Sequence, residues 1–517
     1  MIGYQLTIQA THRPEAIAVA FGARRLTYAA LHERAFRLAN ALAAAGIGRT
    51  DRVATLMYNC YQFFETMFAC AMLGAVFVPI NFRLVAREVA LQFDACTPRL
   101  LLAGEGFAGL LAELEGRPSF PHRVVWIDDR LPSLPAASEP HSYDTWLAQQ
   151  DVRTPEIVVP PDSILMLLHS SGTTGLPKGI IFTHATVHAS CTAKIIDFTL
   201  TPGDTTVVFG PLHHAGPLMD LALPLLLRGG RVVIGPSRQF DPARLLATVA
   251  AERGTVIPIY PTMLRRVLAA PELAATDLSS LRLVITGGEA APLKMIQAFN
   301  RLLPAVGLVN NYGSTEGGPI TAFLAPEESQ HKIGSVGKEA FGVEVRIADD
   351  DGRPVPAGQI GHLLVRSPFV CGGYWNRHDL TTASQCNGWW HTGDLASRDA
   401  DGYLWIAGRS KDMIKSGTMN IYPVEVEQVI ASIEGVVEVG VVGVPDDEWG
   451  EAVAAFVVTA PGVTLEAAQV VQECRRQLAG YKKPRHVVFI DSLPRGTTNK
   501  VAKNVLRMQW QARQGGA

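Results

Sequence analysis

Residues 170–179 carry side chains that could hold a phosphate chain. The segment reads Ser-Ser-Gly-Thr-Thr-Gly-Leu-Pro-Lys-Gly, and its glycines allow backbone conformations with positive φ. Its hydroxyl groups stand beside backbone N–H groups that can point at one anion, and the lysine adds a positive charge. The spacing differs from that of a Walker A loop, and an ordinary polar turn is the alternative interpretation. The candidate phosphate-binding residues are Ser170, Ser171, Gly172, Thr173, Thr174, Gly175 and Lys178.

Two further segments supply the other groups that a nucleotide requires. In residues 310–316, Tyr312 could stack on adenine, Thr315 could bond a phosphate oxygen, and Glu316 could help to hold Mg²⁺. In residues 389–394, the Asp394 carboxylate could accept hydrogen bonds from both hydroxyl groups of a ribose. Each segment taken alone could also be a polar turn.

The decapeptide resembles the signature loop of the adenylate-forming superfamily, which includes acyl-CoA synthetases, luciferases of the firefly type and the adenylation domains of peptide synthetases. The resemblance extends from about Leu26 to Leu506, with the motifs in the family order. It implies that the loop holds the β- and γ-phosphates of ATP, with Thr174 and Glu316 at the metal, and that Asp394 pairs with Arg409 across the nucleotide. Other ATP-binding positions that the resemblance implies are Gly288, Glu289, Asn311, Tyr312, Gly313 and Thr315.

The resemblance also implies a catalytic lysine near the C-terminus and a mobile domain that carries it. Lys500 matches that lysine, although Asn499 replaces the usual glycine before it, and Lys503 is the fallback. Adenylation then consists of positioning plus neutralisation of the phosphates by Mg²⁺ and Lys500. Lys411 matches the hinge, so we expect an N-terminal adenylation core of residues 1–409 and a mobile C-terminal lid of residues 410–517.

The segment 209–220 resembles the family motif that borders the acyl pocket, where His213 or His214 would gate the carboxylate. A metal-binding histidine pair is disfavoured, because adjacent side chains on an extended segment point apart. Asp220 is unusual, because it lies in an otherwise apolar stretch that predicts a helix opened by Pro217. The expected pocket residues are His213, Asp220, Tyr260, Gly287, Gly288, Gly313 and Gly318, with His214 as a catalytic residue.

Two interpretations of Asp220 remain open at this point. The first is an acid in the first turn of a helix, where the helix N-terminus favours negative charge. The second is a receptor for a substrate amine, because peptide-synthetase adenylation domains hold the α-ammonium with an aspartate in this region. The position nearest to that aspartate is Gly216, and Asp220 lies one helical turn later on the same face. That displacement would suit a β-amino acid.

The resemblance implies a pantetheine thiol as the acyl acceptor. Residues 415–423 are similar to the loop that lines the pantetheine tunnel, and Ser416 and Gly417 are the positions that we assign to it. Coenzyme A is the leading acceptor, because the overall spacing is closest to the acyl-CoA synthetases. A stand-alone enzyme that loads an amino acid onto a carrier protein is the alternative, and a luciferase-like oxygenase is a third class.

Apolar runs beside these motifs predict the strands that position them. Residues 164–168 enter the phosphate loop, and residues 180–184 leave it. Short strands that alternate with amphipathic helices predict an α/β fold with two largely parallel sheets, whose ligands lie beyond the carboxyl ends of the strands. From about residue 340 the pattern predicts a small β-barrel-like subdomain, followed by a small α+β domain.

Composition limits the class of protein. The chain has 517 residues, a net charge of -2 and 48% hydrophobic residues, which indicates a globular protein and disfavours nucleic-acid binding. Its seven cysteines show no Cys-x-x-Cys pair, so we expect a reducing compartment. The longest apolar stretch, residues 67–80, is too short to cross a bilayer and contains Gly74 and Pro79, so it predicts a buried helix running into a strand. We therefore expect a cytoplasmic protein, either a monomer or a homodimer. The resemblance implies an enzyme whose substrate is a small carboxylic acid.

Overall fold

A computed structural model describes residues 2–127, 143–152, 157–170, 177–289, 291–329, 331–496 and 500–514. The five residues Ser171, Gly172, Thr173, Thr174 and Gly175 of the expected phosphate loop therefore lie outside the described residues. The helices are α1 Ile2–His12, α2 Tyr28–Ala44, α3 Tyr61–Leu73, α4 Ala86–Cys96, α5 Ala108–Ala112, α6 Tyr143–Ala148, α7 His184–Asp197, α8 Leu223–Arg228, α9 Pro242–Ala251, α10 Pro261–Leu268, α11 Leu293–Leu302, α12 His378–Ser384, α13 Pro423–Ala431, α14 Ala467–Gln477 and α15 Lys503–Gln514.

The strands alternate with these helices through the first three hundred residues, as the sequence predicts. They are β1 Ile17–Phe21, β2 Arg24–Thr27, β3 Arg52–Leu56, β4 Val76–Pro79, β5 Leu100–Ala103, β6 Arg123–Trp126, β7 Ile164–Ser170, β8 Lys178–Thr183, β9 Thr205–Val208, β10 Arg231–Ile234, β11 Val256–Ile259, β12 Leu283–Gly287, β13 Gly307–Ser314, β14 Gly318–Leu324, β15 Lys338–Glu339, β16 Glu344–Ala348, β17 Gly361–Arg366, β18 Gln385–Cys386, β19 Trp389–Arg398, β20 Leu404–Arg409, β21 Ile414–Ser416, β22 Met419–Ile421, β23 Val436–Asp446, β24 Gly450–Thr459 and β25 His486–Phe489.

Two large sheets form the N-terminal part of the chain. One has six strands in the order β6-β5-β3-β4-β7-β8, and the other has nine in the order β15-β14-β13-β12-β11-β9-β10-β1-β2. Their central strands are parallel, while β8, β2, β14 and β15 add to the edges in antiparallel fashion. The predicted α/β fold with two largely parallel sheets is confirmed.

Local sequence signals fix several of these elements. Thr27 caps α2, because its hydroxyl accepts a hydrogen bond from the Ala30 N–H at 3.1 Å. The apolar stretch at residues 67–80 is part of α3 followed by β4, and the two are separated by Gly74. Gly74 adopts a φ of 75°, a left-handed conformation that ends a helix at little cost only for glycine. The predicted helix running into a strand is therefore confirmed.

The region after residue 340 is a five-stranded antiparallel sheet. Its order is β16-β17-β19-β18, with β20 also paired to β19. Within the described residues β16 and β20 do not pair with each other, so the sheet stays open and does not close into a barrel. Closure would require the two outer strands to form a ladder, and both lie on β17 or β19 instead.

The C-terminal part has its own sheet and its own core. The sheet has the order β22-β21-β24-β23, with β25 parallel to β24. Two apolar clusters flank it, and every buried residue in them lies between Ile414 and Trp510. A separate core is what a small domain needs in order to fold as a unit. The boundary between residues 409 and 410 remains a prediction.

None of the helices in the described part of the chain is both long and apolar enough to span a bilayer.

Candidate active site

The side chains of Asp394 and Arg409 face each other across two neighbouring strands. The two residues are direct partners in the β19–β20 ladder, and Arg409 Nε lies 2.7 Å from Asp394 Oδ1. The Tyr312 hydroxyl donates to Asp394 Oδ2 at 2.5 Å. Burial and the adjacent carboxylate raise the pKa of Tyr312 well above its usual value, so the phenol stays a donor. Three residues that the sequence predicts for nucleotide binding therefore meet in one cluster.

Strand geometry, rather than a turn, places Asp394. The segment 389–394 belongs to β19, and the Thr392 hydroxyl accepts from the Asp394 N–H at 3.1 Å while it donates to the Leu363 carbonyl at 2.8 Å. The interpretation of this segment as an isolated turn was wrong, because ladders on both sides hold it extended.

Glu316 lies in the three-residue turn between β13 and β14. The Tyr374 hydroxyl donates to Glu316 Oε1 at 3.2 Å, and Lys178 Nζ lies 5.1 Å from the centre of the Tyr374 ring. Lys178 begins β8 and pairs with Ser170 of β7, so the described ends of the predicted phosphate loop lie beside Glu316. Thr315 occupies the same turn.

Lys500 reaches the same cluster from the C-terminal part of the chain. Lys500 as a whole residue is exposed to solvent. Desolvation by the surrounding protein atoms and the charge of Arg409 lower the pKa of its side chain, whereas the carboxylates of Asp394, Glu289 and Glu316 raise it. A backbone hydrogen bond of 2.8 Å from the Gly496 N–H to the Lys500 carbonyl closes the turn that carries it.

Lys503, the fallback for the catalytic lysine, is engaged elsewhere. Its Nζ lies 2.8 Å from Glu427 Oε1, and both side chains are largely buried. This lysine is the first residue of α15, so it is fixed against α13 rather than near Asp394 and Arg409. Of the two candidates, only Lys500 lies among the nucleotide-site residues.

At two of the predicted positions, neighbouring strands approach so closely that only glycine fits. A side chain at Gly287 would collide with Asn311, whose Oδ1 would lie 1.4 Å from the added Cβ, and the two residues are partners across β12 and β13. At Gly313 the added Cβ would lie 2.0 Å from the Pro319 carbonyl oxygen. The glycines therefore allow the strands of the site to approach, which is a structural reason for them.

Three of the expected acyl-pocket residues, Gly288, Tyr260 and Asp220, are linked by close contacts through Gly216. An added Cβ at Gly288 would lie 3.2 Å from the Tyr260 ring, and one at Gly216 would lie 3.4 Å from the Tyr260 hydroxyl and 3.5 Å from Asp220 Oδ2. Gly318, with a φ of 114°, lies against the Phe369 ring. Glu289 accepts a hydrogen bond from the Thr262 N–H at 3.1 Å, which places its carboxylate at the start of α10.

His213 and His214 lie together rather than apart. Their ring centres are 4.3 Å apart, and neither Nε2 atom has a hydrogen-bond partner. The expectation that the side chains diverge was wrong, because residues 211–214 form a turn instead of an extended segment. Burial, with smaller effects of Arg83 and Lys500, lowers the pKa of His214 to about 4, so its ring is neutral at physiological pH. Within the described residues no cluster of three metal-binding side chains is present.

Asp220 lies in a π-helix, Gly216–Ala222, rather than in the first turn of an ordinary helix. The Leu223 N–H bonds the Leu218 carbonyl five residues earlier, and Pro224 cannot donate to the Asp220 carbonyl as an α-helix would require. Asp220 is buried, its Oδ1 has no hydrogen-bond partner, and burial raises its pKa to about 7 although Lys194 opposes the shift. Its interpretation as an exposed helix-start acid was therefore wrong.

The remaining predicted positions lie at the junction with the C-terminal part. Lys411 is exposed in a short 3₁₀ turn between β20 and β21. Ser416 ends β21, and the Gly417 N–H donates to the Trp449 carbonyl at 2.7 Å. Gly417 has a φ of 61°, and an added Cβ there would lie 3.0 Å from the Trp449 ring.

Sequence reasoning missed Tyr374 and Lys194. Tyr374 links Lys178 to Glu316 but lies outside any of the recognised motifs. Lys194 is a fully buried cation on α7, and it follows Val187 and Cys191 on the buried face of that helix. A lysine at core-facing helical spacing is a signal that the sequence does contain.

Comparison with known proteins gives a consistent result over nearly the whole chain. Residues 6–375 match the family described as AMP-binding enzyme, and residues 425–500 match its C-terminal domain. A feruloyl-CoA synthase from Amycolatopsis is 37% identical over 497 residues, which covers 96% of each chain. An indoleacetate–CoA ligase from Aromatoleum aromaticum is 37% identical and covers 96% of this chain and 95% of its own. The crystal structure of an anthranilate CoA ligase with anthranoyl-AMP has a TM-score of 0.90 at 28% identity, and the match covers 98% of this chain and 96% of that one.

Proposed function

This chain belongs to the AMP-binding enzyme family and is an AMP-forming acid–thiol ligase, and we propose that it joins an aromatic carboxylic acid to coenzyme A at the cleft between Asp394 and Lys500. Acid activation as the acyl-adenylate, followed by acyl transfer to a thiol, is the activity of this class. The observation that carries the proposal is the convergence of Tyr312, Asp394, Arg409 and Lys500 from distant parts of the sequence.

The proposed nucleotide site uses the ion pair between β19 and β20. Asp394 would accept from the ribose hydroxyls, and Arg409 would hold that carboxylate in place and lend positive charge to the phosphates. The Tyr312 ring would lie against the adenine, with its hydroxyl fixed on Asp394. Lys178 and the loop before it would hold the outer phosphates.

Lys500 would stabilise the charge that develops when a carboxylate oxygen attacks the α-phosphorus. Both reactants are anions, so a cation fixed between them lowers the barrier. The pKa of Lys500 is lowered by burial and by Arg409, but the surrounding carboxylates act to keep it protonated. Neutral His213 and His214 would border the acid without adding a second positive charge.

Glu316 fits the requirement for Mg²⁺. This cation takes oxygen ligands and is usually bound through one or two carboxylates together with substrate phosphates. The Glu316 carboxylate lies beside Lys178 and has one described hydrogen-bond donor, Tyr374. Mg²⁺ bound there would neutralise phosphate charge, and Thr174 is the second predicted ligand.

Rotation of residues 410–517 about Lys411 would exchange the groups at the acyl carbon. The C-terminal core is separate from the N-terminal cores, which permits movement as a unit. Lys500 would serve adenylation, and the loop with Ser416 and Gly417 would then bring in the pantetheine thiol. The relatives named above are CoA ligases, which favours coenzyme A over a carrier protein.

An aromatic acid is supported by the relatives and by the pocket. Feruloyl, indoleacetate and anthranilate groups are all aromatic. Tyr260, His213 and His214 offer rings along the pocket, whereas the buried Asp220 is a poor end for a long alkyl chain. A cytoplasmic location agrees with the seven cysteines, none of which forms a disulfide in the described part of the chain.

The test is formation of AMP and a thioester from ATP, Mg²⁺, coenzyme A and a panel of benzoic, cinnamic, arylacetic, fatty, α-amino and β-amino acids. ATP–pyrophosphate exchange on the same panel reports adenylation alone. We expect aromatic acids to give the highest kcat/KM, with an acyl-CoA as product. Exchange without thioester formation would point to a carrier protein as acceptor, while oxygen consumption with ATP would indicate luciferase-like chemistry. If none of the acids in the panel supports exchange, the proposal is refuted.

A further inference from the structure

Asp220 and Lys194 place two buried ionisable groups at the acyl pocket. Lys194 is 1% exposed and Asp220 is 8% exposed. Their charged atoms lie more than 4.0 Å apart, yet each group shifts the pKa of the other toward its charged form. Burying such groups is costly unless they have partners, so their presence among apolar residues requires a reason.

Lys194 is held in place by its own helix. Its Nζ donates to Ser190 Oγ at 2.6 Å and to the Ser190 carbonyl at 3.3 Å, and it lies 5.3 Å from the centre of the Phe369 ring. An ammonium group has three hydrogens, and these contacts use two of them. The cation is therefore held in a fixed position on α7.

Asp220 is only partly satisfied. Its Oδ1 is buried without a hydrogen-bond partner, and its Oδ2 faces Gly216 next to the Tyr260 hydroxyl. The absence of a side chain at Gly216 leaves this face of the carboxyl open toward Tyr260 and, through it, toward Gly288. The Asp220 carboxyl thus contacts the same residues, Gly216 and Tyr260, that lead to Gly288 of the expected acyl pocket.

The neighbouring cation determines which ligand group suits Asp220. A substrate ammonium would gain from the carboxylate but would also be brought close to the like charge of Lys194. A methyl or phenyl group would leave Oδ1 buried without a partner, which is also costly. An uncharged hydroxyl or N–H group can donate to Asp220 without adding a second positive charge.

We propose that Asp220, held beside Lys194, selects acids that carry an uncharged hydroxyl or N–H group at the end remote from the reacting carboxylate. This inference rests on the proposed function, because it concerns the acid that the same site activates. It replaces the interpretation of Asp220 as a receptor for a substrate amine.

The experiment compares matched acids in ATP–pyrophosphate exchange. Benzoates and cinnamates with a hydroxyl, methyl or aminomethyl group at the 3- or 4-position differ at the remote end only. We expect the wild-type enzyme to prefer the hydroxyl over the methyl acid by about 10- to 100-fold in kcat/KM at the best length and position. The hydroxyl acid donates a hydrogen bond to the buried Asp220 carboxylate, whereas the methyl acid leaves that acceptor without a partner.

Three variants separate the roles of the two residues. In Asp220→Leu the hydroxyl preference should fall to about threefold or less, whereas Asp220→Asn, which keeps an acceptor oxygen, should retain most of it. In Lys194→Met the relative activity with the aminomethyl acid should rise about tenfold or more, because the like charge is gone. Thermal unfolding of each variant would identify a loss of folding, and the ratio of two acids on one enzyme is independent of the amount folded.

Several results would overturn the inference. These are an unchanged hydroxyl-to-methyl ratio in Asp220→Leu, a wild-type preference for the aminomethyl acids, or activity confined to acids that lack a remote polar group. If no class of acid supports exchange, the proposed function itself is refuted, so the two failures can be distinguished.

Discussion

Arg265 of α10 donates to Glu438 of β23 at 2.7 Å, and so joins the N-terminal part of the chain to the C-terminal part. Arg495, five residues before Lys500, donates to the same Glu438 oxygen at 2.7 Å. Arg265 also donates to the Val437 carbonyl at 3.0 Å. Glu438 therefore joins the segment that carries Lys500 to α10 of the N-terminal part.

Loss of the Arg265–Glu438 contact should slow adenylation more than thioester formation. The contact belongs to the arrangement with Lys500 in the cleft, and its partly exposed groups contribute about 1 kcal/mol or less, or up to about fivefold in rate. We expect Arg265→Ala to reduce pyrophosphate exchange by that factor and to spare acyl transfer from a supplied acyl-adenylate. Arg266→Ala, at the exposed next position, is the matched control. Equal slowing of both half-reactions would contradict this role.

Lys500→Ala should reduce pyrophosphate exchange by about 100- to 1,000-fold, as expected when a single group that stabilises transition-state charge is removed. Thioester formation from a supplied acyl-adenylate should change little. Lys503→Ala is the control, because Lys503 is paired with Glu427 away from the cleft, and exchange should remain within about threefold of the wild-type rate. A larger effect at Lys503 than at Lys500 would reverse the assignment.

Lys411→Pro should separate the two half-reactions in the opposite direction. Proline fixes its own φ and restricts the residue before it, so it would hinder rotation about this position. In this variant we expect pyrophosphate exchange to remain measurable and thioester formation to fall by about tenfold or more. Lys411→Ala leaves φ unrestricted and should retain the rates of both half-reactions. Parallel loss of both rates in the proline variant would defeat the hinge assignment.

Asp394→Asn should raise the KM for ATP by about tenfold or more. Asparagine offers one acceptor oxygen in place of two and weakens the bond to Arg409, so the ribose hydroxyls lose a charged acceptor. Asp399→Asn is the control, since Asp399 accepts a hydrogen bond from Lys332 at 2.9 Å and directly follows the last residue of β19. A KM for ATP that is unchanged in Asp394→Asn would contradict the nucleotide assignment.

The stability of the fold should decrease when the pH falls below about 6.5. Burial lowers the pKa of His184 to about 4, and both of its ring nitrogens are buried without hydrogen-bond partners. The unfolded chain binds a proton near pH 6.5, so the stability conferred by neutral His184 is present above that pH and is lost as the pH falls toward 4. At pH 5.5 the loss is about 1 kcal/mol for this residue.

Urea unfolding at pH 7.5 and pH 5.5 measures this effect. In His184→Asn the difference between the two pH values should shrink by about 1 kcal/mol relative to the wild type. The exposed His331, changed to Asn, should leave the difference unaltered. An identical pH dependence in wild type and His184→Asn would show that His184 makes no such contribution.

Much of the fold could be predicted from local sequence, because the signals that create the elements are local. The apolar run of residues 164–168 predicted β7, and the alternation of short strands with amphipathic helices predicted the two largely parallel sheets. The motif residues Tyr312, Asp394 and Arg409, which the sequence assigns to one site, do lie together, while their role in nucleotide binding remains a prediction.

Tertiary structure decided the rest. The sequence by itself determined which residue types are available and which elements carry them, through spacing, turns and caps. It could not show that Asp394 faces Arg409 within a ladder, that Lys503 is paired while Lys500 enters the cleft, that His213 and His214 meet in a turn, or that Lys194 lies beside Asp220. Each of these depends on which distant segments pack together, because burial and neighbouring charge arise only when separate elements meet in space.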